Sequence, residues 1–310
     1  MNTPLGFLII DKPKGFTSHD CVNRLRLIYK TRRIGHGGTL DPQVTGVLPI
    51  AIGQATRLLR YLPGEKSYVG EIQLGISTKT DDIHGEVIKS NKVPLLDKEE
   101  LKNILESFLG NIQQIPPQVS SVHVEGERAY KRVRKGESIK LNARSICIKE
   151  LIATEWRQDI GRLSIQISCS EGTYIRAIAR DLGEIIGCGG CLYDLRRTKA
   201  LGFQEEVSIP LPERPSEKSD PPPELINPKI ALNNIPQMIV SSEEEMHFWR
   251  TGREIKINSS IKNFQENSLS CENEKANLAI LIIDQNGEVA GIGNLINTEI
   301  IQPKIVFNSY

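Results

Sequence analysis

The chain has 310 residues, enough for about two domains. Its 39% hydrophobic and 25% charged residues exclude wholesale disorder. The formal charge of +1 hides an asymmetry: residues 1–203 hold 30 Lys/Arg against 22 Asp/Glu, and residues 204–310 hold 9 against 16. Two clusters are more basic still, residues 1–60 and 128–149, and such patches form electrostatic footprints for phosphate or solvated helix faces. No stretch of about 18 residues is predominantly apolar, so no membrane span is expected. The longest run without Asp, Glu, Lys or Arg, Ser107 to Val124, is broken by Pro116-Pro117. The N-terminus lacks the basic segment of a signal peptide, and six cysteines do not make a secreted disulfide scaffold. A reducing cytoplasm is the expected location.

In chain order, Phe7–Ile10 reads as a short buried strand. Ser18 is placed to cap a helix carrying Val22, Leu25 and Ile28. The spacing of Leu58, Leu59 and Leu62 predicts a helix over 53–62, and Tyr68, Gly70, Ile72 and Leu74 share one face of a strand. Asp97 with Glu100 makes a capping box before Leu101, Ile104, Leu105 and Phe108. Leu163, Ile165, Ile167 and Cys169 alternate as a half-buried strand. Ile175, Ile178, Ala179, Leu182 and Ile186 then follow helical spacing, with Gly187 as the stop. The six prolines of 210–224 mark a linker, and 258–276 reads as a polar loop. Leu278–Ile283 and Glu288–Asn294 form a hairpin around Asp284-Gln285-Asn286-Gly287. Strands and helices mix without βαβ repetition, which gives an α+β fold.

Several motifs fail. Gly35-His36-Gly37-Gly38-Thr39-Leu40 has Leu40 where a dinucleotide fingerprint needs its third glycine. The histidines form no metal-ligand pair. Cys188-Gly-Gly-Cys191 is either two small residues at a helix end or half of a zinc or redox site, with no second CxxC to complete it. The densest special segment is 35–59. There Asp41 lies between a glycine-rich turn and Pro42, in apolar and small-residue surroundings. A buried lone carboxylate needs a cation, and Arg176 is a candidate; Asp41 as a simple turn cap is equally compatible with the spacing.

These segments resemble the bacterial tRNA pseudouridine-55 synthases of the TruB type. The resemblance rests on Leu8-Ile-Ile-Asp-Lys-Pro-Lys-Gly15, on 35–57, on Lys66-Ser67-Tyr68 with Gly75–Asp81, on Gln114-Ile-Pro-Pro117, on Gly172-Thr-Tyr-Ile-Arg176 and on Leu195-Arg196-Arg197. They occur in the family's order and cover most of 6–203. The resemblance implies a mixed β-sheet catalytic domain over 1–230 with a thumb-like RNA-binding insertion near 112–145. It also implies a small PUA-like β-domain over 236–310. It makes Asp41 the catalytic aspartate, with Arg176 as its partner and Tyr68 as an active-site aromatic and proton acceptor. Tyr174 and Leu195 would line the base pocket, and His36 would stand near the position the flipped base vacates. Lys12, Arg57 and Arg197 would bind phosphate or support Asp41, while Arg132 and Arg134 would grip RNA. The implied reaction isomerises uridine 55 of the tRNA T-loop after base flipping, with no metal and no cofactor. The implied partner is the T-arm of tRNA, bound by a monomer, with neither DNA nor membrane. Two departures bear on RNA grip: Val119-Ser-Ser-Val-His123 replaces an aromatic-Ser-Ala-x-Lys run, and Glu171 stands where Lys is common.

Overall fold

The computed structural model describes residues 4–124, 126–137, 139–215, 221–257, 278–296 and 299–307. The first domain begins with β1 (Gly6–Lys12), α1 (Ser18–Ile28), β2 (Ile34–His36), β3 (Thr45–Ile52), β4 (Lys66–Leu74) and a small hairpin of β5 (Ile76–Thr78) and β6 (Val87–Ser90). It continues through α2 (Lys98–Glu106), β7 (Gly110–Gln114), β8 (His123–Val124), β9 (Glu127–Arg128), α3 (Ala129–Arg134), β10 (Arg144–Arg157) and β11 (Arg162–Cys169). It closes with α4 (Ile175–Ile186), β12 (Gly190–Ala200), β13 (Phe203–Gln204) and β14 (Ile209–Pro210).

Ten of these strands form one mixed sheet with the order β14-β1-β3-β12-β4-β11-β10-β7, β2 joining β3 and β13 joining β12. β1 is an unbroken apolar run because both its faces are covered. Leu8 and Ile10 join the core with Cys21, Val22 and Leu25 of α1. Phe7 joins a second core on the other side. β4 lies between β12 and β11, and its register sets Tyr68 against Arg197 and Gly70 against Leu195. A Cβ on Gly70 would stand 2.6 Å from Asp194 O and 2.8 Å from Leu195 Cδ1, so only glycine allows this approach. β12 runs parallel to β3, bringing Arg197 to Gly46, where a Cβ would meet Arg197 O at 2.2 Å.

α4 buries Ile175, Ile178, Ala179 and Leu182 and ends at Gly187, whose φ of 83° is the left-handed cap expected for glycine. α2 carries the Asp97–Glu100 capping box. The strands of the two alternating segments form as expected. Two local readings are corrected. Thr17, not Ser18, caps α1: its side chain accepts from Asp20 N while Asp20 returns the bond. Ser18 is instead buried against Leu40, donating to Leu40 O and accepting from Leu40 N. Residues 53–62 are not an α-helix but two 3-10 turns, Gly53–Arg57 and Leu59–Tyr61, because the chain leaves β3 through Gly53 at φ 64° and turns directly over the second core.

Between β7 and β10, which pair from Gly110↔Ile148 to Gln114↔Arg144, residues 115–143 leave the sheet. They carry β8, β9 and α3 around a small core of Ala129, Ile139 and Leu141. The C-terminal domain contains α5 (Pro228–Ala231), β15 (Gln237–Val240), α6 (Glu243–Arg250), β16 (Ile255–Lys256), β17 (Ala279–Asp284), β18 (Val289–Leu295) and β19 (Ile300–Val306), its sheet ordered β15-β17-β18-β19-β16. β17 and β18 are the expected hairpin. Leu281, Ile283, Ile292, Ile305 and Phe307 share a core with Phe7, Ala51, Leu58 and Leu201, so the two domains pack through apolar surface. Both ends of the proline-rich segment are held by β1: Ile209 pairs with Ile10, and Phe7 and Ile226 exchange backbone hydrogen bonds. Residues 216–220 and the polar loop at 258–276 lie outside the described residues. No described helix is long and apolar enough to cross a membrane.

Candidate active site

Asp41 sits on the loop between β2 and β3, and its surroundings are fixed from several directions. Val44 N donates to Asp41 O at 3.0 Å, and Gly15 N donates to Pro42 O at 2.8 Å. Lys12 is fully buried, and its ammonium donates to Pro13 O at 2.9 Å, Phe16 O at 2.6 Å and Pro42 O at 3.2 Å. Those contacts use the three donors of an ammonium, and burial lowers its pKa. Lys12 therefore supports the Asp41 loop from beneath. Contrary to the buried carboxylate expected from its apolar surroundings, the Asp41 side chain remains 46% exposed, on a loop pinned by these hydrogen bonds.

Arg176, at the start of α4, is the partner. Its Nε lies 2.9 Å from Asp41 Oδ2, and its side chain is 7% exposed. Nη1 donates to Thr80 O at 2.9 Å and stands 3.7 Å from Asp82 Oδ2; Nη2 donates to Val119 O at 3.0 Å. One guanidinium thus joins the carboxylate loop, the 80–82 loop and the root of the 115–143 insertion. A planar fork with five N–H groups suits this; a lysine would reach only part of it. One turn along α4, Arg180 repeats the pattern, meeting Asp81 at 3.0 Å and Ile115 O at 2.8 Å.

Tyr68 and Leu195 lie on the neighbouring strands β4 and β12, both nearly buried, and Tyr68 is close enough to Asp41 to feel its charge. Burial pushes the Tyr68 phenol up, while the adjacent Arg197 pulls it down. Arg197 is 1% exposed and donates to Val47 O at 2.7 Å and Gly38 O at 3.2 Å. Its burial lowers its pKa, and Tyr68 opposes that. His36 accepts from Gly38 N through Nδ1 at 3.3 Å, and burial with the nearby Arg197 charge lowers its pKa. Tyr174 caps α4 and exchanges two hydrogen bonds with the Gln114 side chain, 2.9 Å from its N–H and 3.1 Å to its carbonyl; Arg144 lies over its ring.

The remaining candidates lie apart. Arg57 donates to Val306 O at 2.9 Å, which ties it to the C-terminal domain. Arg132, in the insertion, pairs with Glu137 at 2.6 Å. The side chain of Arg134 lies outside the described residues. Cys188 and Cys191 are free and buried, and burial raises both thiols, Cys191 to about 11, which disfavours the thiolate a metal or redox role needs. Two residues were given no site role from the sequence, although Lys66 stands in the Lys66-Ser67-Tyr68 motif. Asp82 reaches Arg176 only through the tertiary fold. Lys66 had a usable signal: it stands two positions before Tyr68, so both point to one face of β4.

Residues 26–175 match the TruB family pseudouridylate synthase N-terminal domain. A tRNA pseudouridine synthase B of Synechococcus sp. (strain WH7803) is 50% identical over 313 residues, covering 100% of this chain and 99% of its own. One from Prochlorococcus marinus (strain MIT 9313) is 48% identical over 319 residues, covering 100% and 99%. The fold is similar to that in a crystal structure of a Cbf5-Nop10-Gar1 complex, with TM-score 0.66 and 20% identity over 97% of this chain and 84% of that one. With an exposed aspartate clamped by a buried arginine beside a tyrosine, and relatives of this identity along the full length, the chain belongs to the TruB family of pseudouridine synthases.

Proposed function

We propose that this enzyme converts uridine 55 in the T-loop of tRNA to pseudouridine, with Asp41 as the residue that acts on the flipped nucleotide. The Asp41–Arg176 pair carries this reading: the carboxylate is open to a substrate while a charge-assisted hydrogen bond holds its orientation. In the reaction the N1–C1′ bond breaks, the uracil turns, C5 bonds to C1′, the C5 proton leaves for solvent and N1 gains a proton. Substrate and product are isomers, so no oxidant or group donor is consumed. A carboxylate can act as a nucleophile or stabilise positive charge at the sugar.

Tyr68 and Leu195 supply a flat apolar floor for a base taken out of its stack, and stacking on an aromatic is worth about 1–3 kcal/mol. That offsets the few kcal/mol that flipping costs. Because burial raises the Tyr68 phenol, it stays protonated at neutral pH, and the residue offers its ring face rather than a phenolate. In this reading Tyr174 and His36 are assigned to the walls of the pocket, while Arg197 backs Tyr68 and Lys12 props the Asp41 loop. Arg128, Lys131 and Lys140 stand exposed on the 115–143 insertion and suit the phosphates of the T-arm, with Arg132 beside them. One chain holds the whole site, which favours a monomer working where tRNA is, in the cytoplasm.

The test uses a tRNA transcript tritiated at C5 of uridine. Turnover releases tritium to water in step with product, and Asp41→Asn abolishes release while tRNA binding persists. Full turnover by Asp41→Asn would overturn the mechanism. Binding without release by the unaltered enzyme would overturn the activity and leave an RNA chaperone.

A further inference from the structure

Arg197 is a buried guanidinium whose contacts are two carbonyl oxygens and the Tyr68 phenol; no carboxylate stands against it among the described residues. A second cation converges on the same place. A Cβ built on Gly38 would lie 3.4 Å from Lys66 Nζ and 3.5 Å from Arg197 Nη1. Gly38 lies three residues before Asp41 and has φ 126°, so the glycine both permits the turn and leaves room there. Among the described residues no acceptor or carboxylate is within hydrogen-bonding or ion-pair distance of Lys66 Nζ. One acid, Glu171, attracts it from beyond ion-pair distance and stands beside Gly64. Its other neighbour, Cys169, is a thiol pushed up to about 11 and carries no charge at neutral pH. Desolvation and the Arg197 charge both penalise a protonated Lys66.

Two cations beside each other, one wholly buried and the other partly so, is an arrangement that the free protein does not neutralise. Lys66 keeps enough exposure to touch a ligand, and it shares the Tyr68 face of β4. We propose that Lys66 Nζ, backed by Arg197 beside Gly38, is a seat for one backbone phosphate of the RNA strand next to the flipped uridine. The proposal rests on the RNA-substrate reading above. It gives Lys66 a positioning role: holding the phosphate fixes the sugar, and with it C1′, against Asp41. The reciprocal benefit is neutralisation of the cation pair once RNA is in place, so part of the site's electrostatic repulsion is relieved only in the complex.

The experiment measures binding of T-arm stem-loops in which each linkage flanking the target uridine is, one at a time, a neutral methylphosphonate. The proteins are the full chain, Lys66→Met and Lys66→Arg, each checked by thermal melting. One linkage should weaken binding to the unaltered protein about tenfold, the value of one charge-assisted contact. Lys66→Met should weaken binding of the natural RNA by a similar factor, lose sensitivity at that linkage alone, and lower the salt slope by about 1. Lys66→Arg should recover sensitivity there, and Lys66→Met should melt no lower than the parent because a repulsive charge is gone. Undiminished sensitivity of Lys66→Met at every linkage overturns the seat. So does a lowered melting temperature with unchanged RNA binding, which would make Lys66 structural. If tritium release fails but linkage sensitivity appears as expected, the isomerase reading falls and the phosphate seat stands.

Discussion

Arg176→Lys is the sharpest test of how the site is built. The native guanidinium meets Asp41 at 2.9 Å, Thr80 O at 2.9 Å and Val119 O at 3.0 Å, in three different directions. An ammonium on a single stem keeps the charge and can serve one of these directions well. The two remaining partners lose their donor, at about 1–3 kcal/mol for each buried group left unsatisfied, so a loss of roughly 3 kcal/mol in stability is expected. That leaves a domain of this size folded. If the lysine stays near Thr80 and Val119, Asp41 loses its orientation, and a displacement of about 1 Å costs roughly 100-fold in rate. Single-turnover tritium release at saturating enzyme isolates that step, and filter binding reports affinity separately. The expected result is a kcat loss near 100-fold with tRNA affinity changed by less than about threefold. A variant with near-native kcat, or with its entire defect in binding, refutes the claim that the guanidinium fork orients Asp41.

Other substitutions address other layers. Gly46→Ala would drive a Cβ into Arg197 O at 2.2 Å from a φ of 101°, and is expected to cost more than about 3 kcal/mol and to remove activity together with stability, read by urea unfolding and tritium release. Arg57→Ala loses the bond to Val306 O and should cost about 1 kcal/mol with kcat unchanged; a large kcat defect would move Arg57 into the site. For His36 the folded pKa is lowered below 6.5, so the unfolded chain takes up the proton first as pH falls. Its contribution to stability is complete above pH 6.5 and declines below it; His36→Asn, whose amide oxygen can accept from Gly38 N, should flatten that decline between pH 7 and 5 in urea midpoints. An unchanged slope would remove His36 as its source.

Local physics is legible where a few neighbouring residues settle the outcome. The Asp97–Glu100 box, the Gly187 stop, the alternation of Leu163 to Cys169 and the turn at 284–287 all follow from contacts within one turn or one hairpin. The α1 cap shows the limit of that resolution. Two adjacent hydroxyls could cap the helix, and Thr17 does so because Ser18 is taken by Leu40, which lies beyond the helix itself. Residues 53–62 have helical spacing but follow a turn whose shape β3 and the second core impose. The resemblance supplied Asp41, Tyr68 and Arg176, with Arg176 as the partner of Asp41. Nothing local supplied their meeting.

By itself, then, the sequence determined the class of fold, most strands and helices, and the family to which the site residues belong, since these depend on short-range periodicity and on motifs kept in order. Only the tertiary structure decided that Arg176 bridges Asp41, Asp82 and the root of the insertion, and that Lys12 is a prop. It alone placed Arg57 against the C-terminal domain and drew Lys66 and Arg197 to one glycine. Those outcomes depend on β4 being the strand between β12 and β11 and on β12 lying beside β3. Such pairings join residues far apart in the chain. They are fixed by burial summed over the whole sheet, a quantity that no short window of residues contains.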